Sequence, residues 1–258
     1  MSTVEVNGIT MYYDIRGEGK NLVFIHGLGS STLDWEDQVS YFSTKFKTIC
    51  IDLRGHGSTD KTGEKYSPEL FAEDVAHLLN KLQLTDNHIV GLSLGGIVGF
   101  QLALDYPELV SSLTVINMVA SIPDNMSKLE FIKRNVLITL VGMKKMGEVL
   151  APKLFPKEEH EDKRNLLIER WQKNDKKAYL KTMNSLKKWN VKDRLGNISC
   201  NTLIVHAEND YYPLTEKQYI QDQIPNSKLI VIEDAQHAVN VEKPDHFNQI
   251  LDNFLNSL

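Results

Sequence analysis

The feature that most constrains this chain is a recurring unit: a short apolar run that stops abruptly at glycine or a polar residue. "LVFIHG" (Leu22 to Gly27) reads as a buried strand ending in a glycine loop. "TICIDLRGHG" (Thr48 to Gly57) repeats the form, and "HIVG", "LTVIN" (Leu113 to Asn117), "NTLIVHAEND" (Asn201 to Asp210) and "KLIVIED" (Lys228 to Asp234) follow it. Between these runs lie segments of helical spacing. "DWEDQVSYFSTKF" is one. "SPELFAEDVAHLLNKLQL" is another, with Ser67 as cap, Pro68 at the first position and Glu69 in the first turn. "LGGIVGFQLALDY" predicts a helix stopped near Pro107, and Pro244 to Leu258 an amphipathic one. The opening "VEVNGITMYYDI" alternates around Asn7-Gly8, the pattern of a hairpin with a tight primed turn. Apolar strands alternating with helices predict an α/β fold, a mostly parallel sheet covered on both faces. In such sheets ligand chemistry gathers in loops beyond the carboxyl ends of the strands, where the polar loops above fall.

The alternation lapses from about Met118 to Trp189, which reads as helical and rich in Met, Leu and Lys. Residues 1–117 and 190–258 are therefore expected to form a core domain, and 118–189 a helical cap inserted into it. At 258 residues the chain suits one domain with such an insertion. From Lys144 to Arg194 fifteen Lys/Arg face eight Asp/Glu, a local +7 against −12 elsewhere. That excess reads as a solvated helical face, or as a field drawing anionic substrates or an acidic surface. The overall charge of −5 argues against general nucleic-acid binding. No basic-then-apolar leader opens the sequence, and "VLITLVG" (Val136 to Gly142) is too short to span a bilayer. Cys50 and Cys200 read as free thiols suited to a reducing compartment. The expectation is a cytoplasmic protein, monomer or homodimer, without membrane contact.

Gly91-Leu92-Ser93-Leu94-Gly95 fits G-x-S-x-G, after a predicted strand and at the start of a predicted helix. Lifting the Ser93 hydroxyl clear of the sheet demands a sharp strand-to-helix bend, in which side chains two residues either side would collide with backbone. The helix start aims N–H groups where negative charge develops. A serine hydroxyl needs a base, and the base an orienting partner. "EDAQHAVNVEKP" places His237 beyond the last strand, and "HAENDYYPL" places Asp210 beyond the strand before it. The order Ser, Asp, His suits a triad on this architecture. Glu208 is close to Asp210, and Asp234, three residues before the histidine, would have to fold back, so Asp210 on the adjacent loop is preferred. Oxyanion donors are expected from the backbone N–H groups of Leu94 and, in "HGLGSS", Leu28. His26 is read as pinning its own loop, Asp52, Arg54 and His56 as bracing theirs, and His77 and His88 as structural.

With these residues placed, the chain resembles the α/β-hydrolase superfamily over nearly its whole length, through "HGLGSS", "DLRGHGST", "GLSLGG", "HAENDYYP" and "AQHAVNVEKPDHF". The resemblance implies Ser93 as nucleophile, Asp210 as acid, His237 as base, and the insertion as a lid. Within the superfamily those loops look most like the small carboxylesterase and 3-oxoadipate enol-lactonase group. Serine at position 93 sets aside the members with an aspartate nucleophile. "GLGSST" lacks the third glycine of a dinucleotide fingerprint, and no phosphate loop, H-E-x-x-H or Cys/His cluster occurs, so no cofactor or metal is expected. The expected activity is hydrolysis of a small or medium ester or lactone through an acyl-enzyme. The alternatives are a small-molecule receptor of this fold with slow hydrolysis, and a C–C bond hydrolase or thioesterase. Met118, Phe131, Trp171, Trp189 and Trp35 are pocket candidates, although such a stripe is more often core.

Overall fold

Asn7 and Gly8 sit at φ 46° and 75°, the left-handed pair that a primed two-residue turn demands. They join β1 (Ser2–Val6) to β2 (Ile9–Arg16) as an antiparallel hairpin with Val6 opposite Ile9. This computed structural model describes residues 2–122 and 132–258 in full, and the backbone alone of 124–131. The remaining strands are β3 (Asn21–Ile25), β4 (Lys47–Ile51), β5 (Asn87–Leu92), β6 (Val110–Ile116), β7 (Asn201–Ala207) and β8 (Ser227–Ile232). Among the described residues they form one eight-stranded sheet in the order β1-β2-β4-β3-β5-β6-β7-β8. From β4 to β8 all pairings are parallel, and β2 meets β4 antiparallel.

The strands are apolar throughout because both faces are covered. On β3, Val23 and Ile25 point into one core, shared with α2 (Pro68–Lys81) and α3 (Leu94–Asp105). Leu22 and Phe24 point into the other, shared with α1 (Glu36–Phe42) and the C-terminal helix. Burial of one such side chain stabilises by about 1.5–3 kcal/mol, so the two-residue alternation divides the driving force between two layers. Ser67 caps α2 as expected, its hydroxyl accepting from the Leu70 N–H at 3.1 Å.

Past β6 the chain leaves the sheet. Residues 120–122 run antiparallel to 189–191, with Ile122 N–H on Trp189 O (3.1 Å) and Val191 N–H on Ala120 O (2.8 Å). The excursion that this clasp closes contains α4 (Asp124–Leu154), α5 (Glu161–Gln172) and α6 (Lys176–Ser185). Helix α4 breaks at Gly142, where φ is 84°, a value glycine adopts without penalty. Met143, Met146, Leu150, Phe155 and Trp171 form an apolar cluster there, separate from the two sheet cores. The chain then returns through β7, α7 (Leu214–Gln223), β8, a short helix α8 (Val239–Glu242) and α9 (Pro244–Leu255). No helix among the described residues is long and apolar enough to cross a membrane.

Two of the aromatic pocket candidates belong instead to the cores. Trp35 is fully buried and stacked on Phe24 at 4.9 Å, drawn there by the apolar face of β3. Trp189 packs beside Phe100, its indole N–H donating to Gln101 Oε1 at 3.2 Å. Phe131 lies outside the residues whose side chains are described.

The two loops after β3 and β4 are locked together by the residues read as bracing. Asp52 accepts the N–H groups of Thr32 (2.7 Å) and Ser58 (2.8 Å). Arg54 grips Asp74 on α2 with both Nε (2.7 Å) and an Nη (2.6 Å), in a pair almost wholly buried. His26 Nε2 accepts the Leu53 N–H (3.1 Å) while Nδ1 faces Gly27 O (2.7 Å), so the ring must be neutral, donating through Nδ1. His56 lies 5.1 Å away and is equally buried. Burial pushes the His26 pKa down to about 4; burial, then the neighbouring His26, pushes His56 down to about 3.

These depressed values set a sign. Between the unfolded histidine pKa of about 6.5 and the folded values, the unfolded chain binds protons that the folded chain does not, so stability falls as pH falls. Urea unfolding should show a loss of about 1.5 kcal/mol per histidine between pH 6.5 and 5. A stability that stays flat over that window contradicts the neutral, buried assignment.

Candidate active site

Helix α3 begins almost in contact with the sheet, and the glycines around Ser93 make this possible. A Cβ on Gly95 would lie 2.0 Å from the Ile25 carbonyl oxygen, and one on Gly91 would lie 2.1 Å from that of Gly95. Real side chains do not tolerate either distance. Ser93, between them, is held at φ 53° and ψ −112°, an uncommon backbone region for a residue with a side chain. Its N–H donates to Ile116 O on β6 at 3.0 Å, and its own carbonyl accepts from Gly96 (2.8 Å) and Ile97 (3.1 Å). The hydroxyl is thereby presented at the carboxyl end of β5.

The loop after β3 runs beside it. A Cβ on Gly27 would stand 3.6 Å from Ser93 Cβ, so Leu28 borders the site closely. Leu94 is the first residue of α3, where helix N–H groups lack intrahelical acceptors. Leu28, Leu94, Ser93 and His237 line a single cavity of about 410 Å³.

Asp210 follows β7 in a tight turn, its N–H on Ala207 O at 2.9 Å. Its Oδ1 lies 2.5 Å from His237 Nδ1. The structure therefore brings Asp210, and not Asp234, to the imidazole. Asp234 is turned outward onto Lys157 at 2.5 Å, because it belongs to the exposed turn directly after β8. Tyr211 stacks on the imidazole at 4.4 Å and 26°.

Several contributors escape a reading of the sequence. Asn117, at the end of β6, donates through Nδ2 to His237 O (2.7 Å) and accepts the Ala207 N–H at Oδ1 (2.7 Å). One amide thus ties the histidine loop to the strand that carries Asp210. Lys217, on α7, reaches the second oxygen of Asp210 at 2.7 Å, and both side chains are fully buried. Burial tends to raise the Asp210 pKa, but the contacts with His237 and then Lys217 outweigh it and hold it below the usual range. The signals were an asparagine closing an apolar strand, and a lysine spaced between Leu214 and Ile220 on one helix face.

The excursion after β6 closes over this rim. Met118 and Trp171, both pocket candidates from the sequence, line the cavity with Leu150 and Phe155, so its walls are mainly apolar. Among the described residues, four cations also border it. Arg170 is engaged with Asp34 (3.1 Å) and Glu36 (2.8 Å), and Lys163 with the carbonyls of Val241 and Glu242 (2.9 Å each), just past His237. The others are Arg134 and Lys153.

A serine hydroxyl on a glycine-lined bend, a histidine–aspartate pair at the same sheet edge and a helical cover define a hydrolase of the α/β class. Comparison with known proteins agrees: the family described as alpha/beta hydrolase fold matches residues 20–145, and this chain belongs to it. It is 28% identical to 3-oxoadipate enol-lactonase 2 of Acinetobacter baylyi, over 97% of this chain and 94% of that one. It is 30% identical to the "Putative carbamate hydrolase RutD" of Escherichia coli O127:H6, over 92% of this chain and 91% of that one. The crystal structure of the enol-lactonase from Burkholderia xenovorans superposes with a TM-score of 0.92 at 23% identity, covering 99% of this chain and all of the other, and so shares its fold.

The close approach at Gly95 predicts the outcome of a single added methyl. Gly95→Ala should lower stability by about 1–3 kcal/mol or more in urea unfolding, since backbone, not a side chain, must yield. Gly63→Ala, where a Cβ meets nothing within 4 Å, is the control. Equal behaviour of the two variants would refute the packing account of the bend.

Proposed function

We propose that the protein hydrolyses a small or medium carboxylic ester or lactone through an acyl-enzyme formed on Ser93. The observation that carries the reading is the 2.5 Å pairing of Asp210 with Nδ1 of His237, whose ring lines the cavity that also holds Ser93. With Nδ1–H donated to the carboxylate, Nε2 carries the free lone pair and is the base. It takes the Ser93 proton as Oγ bonds to the substrate carbonyl carbon. The oxygen that becomes negative is held by the N–H groups of Leu28 and Leu94. The tetrahedral centre then expels the alkoxide, which takes the proton from His237. Water, deprotonated by the same imidazole, attacks the acyl carbon; the acyl–Oγ bond breaks and Ser93 Oγ takes the proton back from His237. In a lactone the expelled alcohol stays tethered to the acyl group, so one hydroxy acid leaves.

Residues 118–189 act as the cap that selects substrate. The clasp between 120–122 and 189–191 supports these limits, and the apolar lining from Met118, Leu150, Phe155 and Trp171 suits an aliphatic acyl chain. The similarity to an enol-lactonase makes lactones the first compounds to assay. Ser93→Ala should keep its fold and lose about a thousandfold or more in kcat toward a p-nitrophenyl ester. A fluorophosphonate should label Ser93, located by mass spectrometry. Undiminished turnover in the variant would sink the assignment. Burst-limited, near-stoichiometric release by the unaltered protein would favour a receptor of the same fold.

A further inference from the structure

Helix α7 carries a lysine where its packing calls for an apolar residue. Lys217 lies three residues from Leu214 and three from Ile220, and its side chain has no exposed surface. Burying an ammonium group costs several kcal/mol unless it is paired and its protons are satisfied. Here Nζ donates to Asp210 Oδ2 at 2.7 Å and to Tyr212 O at 3.3 Å, and lies 5.1 Å from the Tyr212 ring centre. The two carboxylate oxygens are divided: Oδ1 serves His237, Oδ2 serves Lys217. A methionine would fill the same volume without the desolvation cost, so packing alone does not account for the ammonium.

We propose that Lys217 is a positioning residue that acts through Asp210. It fixes the carboxylate so that Oδ1 faces the imidazole, and its charge balances that of Asp210 beside the ring. The inference rests on the reading of Ser93, His237 and Asp210 given above. The balance of charge explains the effect. With a neutral imidazole the Lys217–Asp210 pair sums to zero, and a proton on the ring leaves one net positive charge in a buried place. Without the ammonium the same proton would neutralise a buried negative charge, and so would bind more readily.

Other groups facing the pair are Glu216 on α7, His206 on β7, and Tyr212 and Tyr211 in the loop between β7 and α7. Arg134, on α4, acts on both tyrosines from across the cavity. Glu216 is itself ion-paired with Lys192 at 3.0 Å. Burial lowers the Lys217 pKa and Asp210 opposes that fall. Burial and then Lys217 lower that of His206, whose Nδ1 is buried without a partner among the described residues, so His206 supplies no compensating charge at neutral pH.

The test is the pH dependence of kcat/KM for a p-nitrophenyl ester, with fold checked by circular dichroism. Lys217→Met should move the acid limb up by about one pH unit, an approximately tenfold loss below the limb. Lys217→Gln, which keeps a donor for Oδ2 but no charge, should move it likewise, and Lys217→Arg should bring it back toward the original. An unmoved limb in folded Lys217→Met and Lys217→Gln overturns the proposal. So does failure of both to fold, which would assign the lysine to the fold rather than to the base. Ser93→Ala, assayed alongside, separates the two readings: if it is inactive and the limb is unmoved, only the role of Lys217 falls.

Discussion

The approach of α3 to the end of β3 governs the rest of the site. Because Gly95 lies against the Ile25 carbonyl of β3, with no room for a β-carbon, α3 starts immediately after β5 and Ser93, between them, stands at positive φ. The same approach brings the loop after β3 beside the serine and the N-terminus of α3 beneath it. Backbone strain at one residue is thus balanced by burial in two cores, whose strand residues Val23 and Phe24 point to opposite faces. Local conformational cost of about 1–3 kcal/mol is affordable only where the surrounding structure over-determines the bend.

Around that fixed point, three loops are joined by polar side chains rather than by the sheet. Asn117 links the ends of β6 and β7 to the histidine loop. Asp210 links the loop after β7 to the loop after β8. Lys163 reaches from α5 to the carbonyls following His237, so the helical cover is anchored on the segment that carries the imidazole. Each of these bonds spans a long interval of sequence, and each is worth more in a partly buried setting than at the surface.

Periodicity carried the architecture, and residue chemistry carried the candidate site. Fully apolar strands announced a sheet covered on both sides, and Asn7-Gly8 announced the hairpin that opens it. G-x-S-x-G is legible because steric demand leaves glycine no substitute at positions 91 and 95. Asp210 was separable from Asp234 by asking which carboxylate must fold back. What stayed hidden depended on register between distant strands. Nothing local marks Asn117 as the partner of residues 120 and 90 positions away, and Lys217 reads as a surface residue until α7 is laid on the sheet. The tryptophans were likewise ambiguous. Trp35 and Trp171 have similar surroundings in sequence, yet one stacks on Phe24 and the other lines the cavity.

The torsion angle at position 93 has a consequence for which reactive groups the fold can display. At φ 53° a β-carbon bearing two heavy substituents is an outlier against its own peptide planes. Threonine, though its hydroxyl matches that of serine in acidity, is disfavoured by its methyl before reactivity is considered. The bend therefore filters by branching first and by nucleophilicity second, which leaves a short alphabet of unbranched side chains at this point.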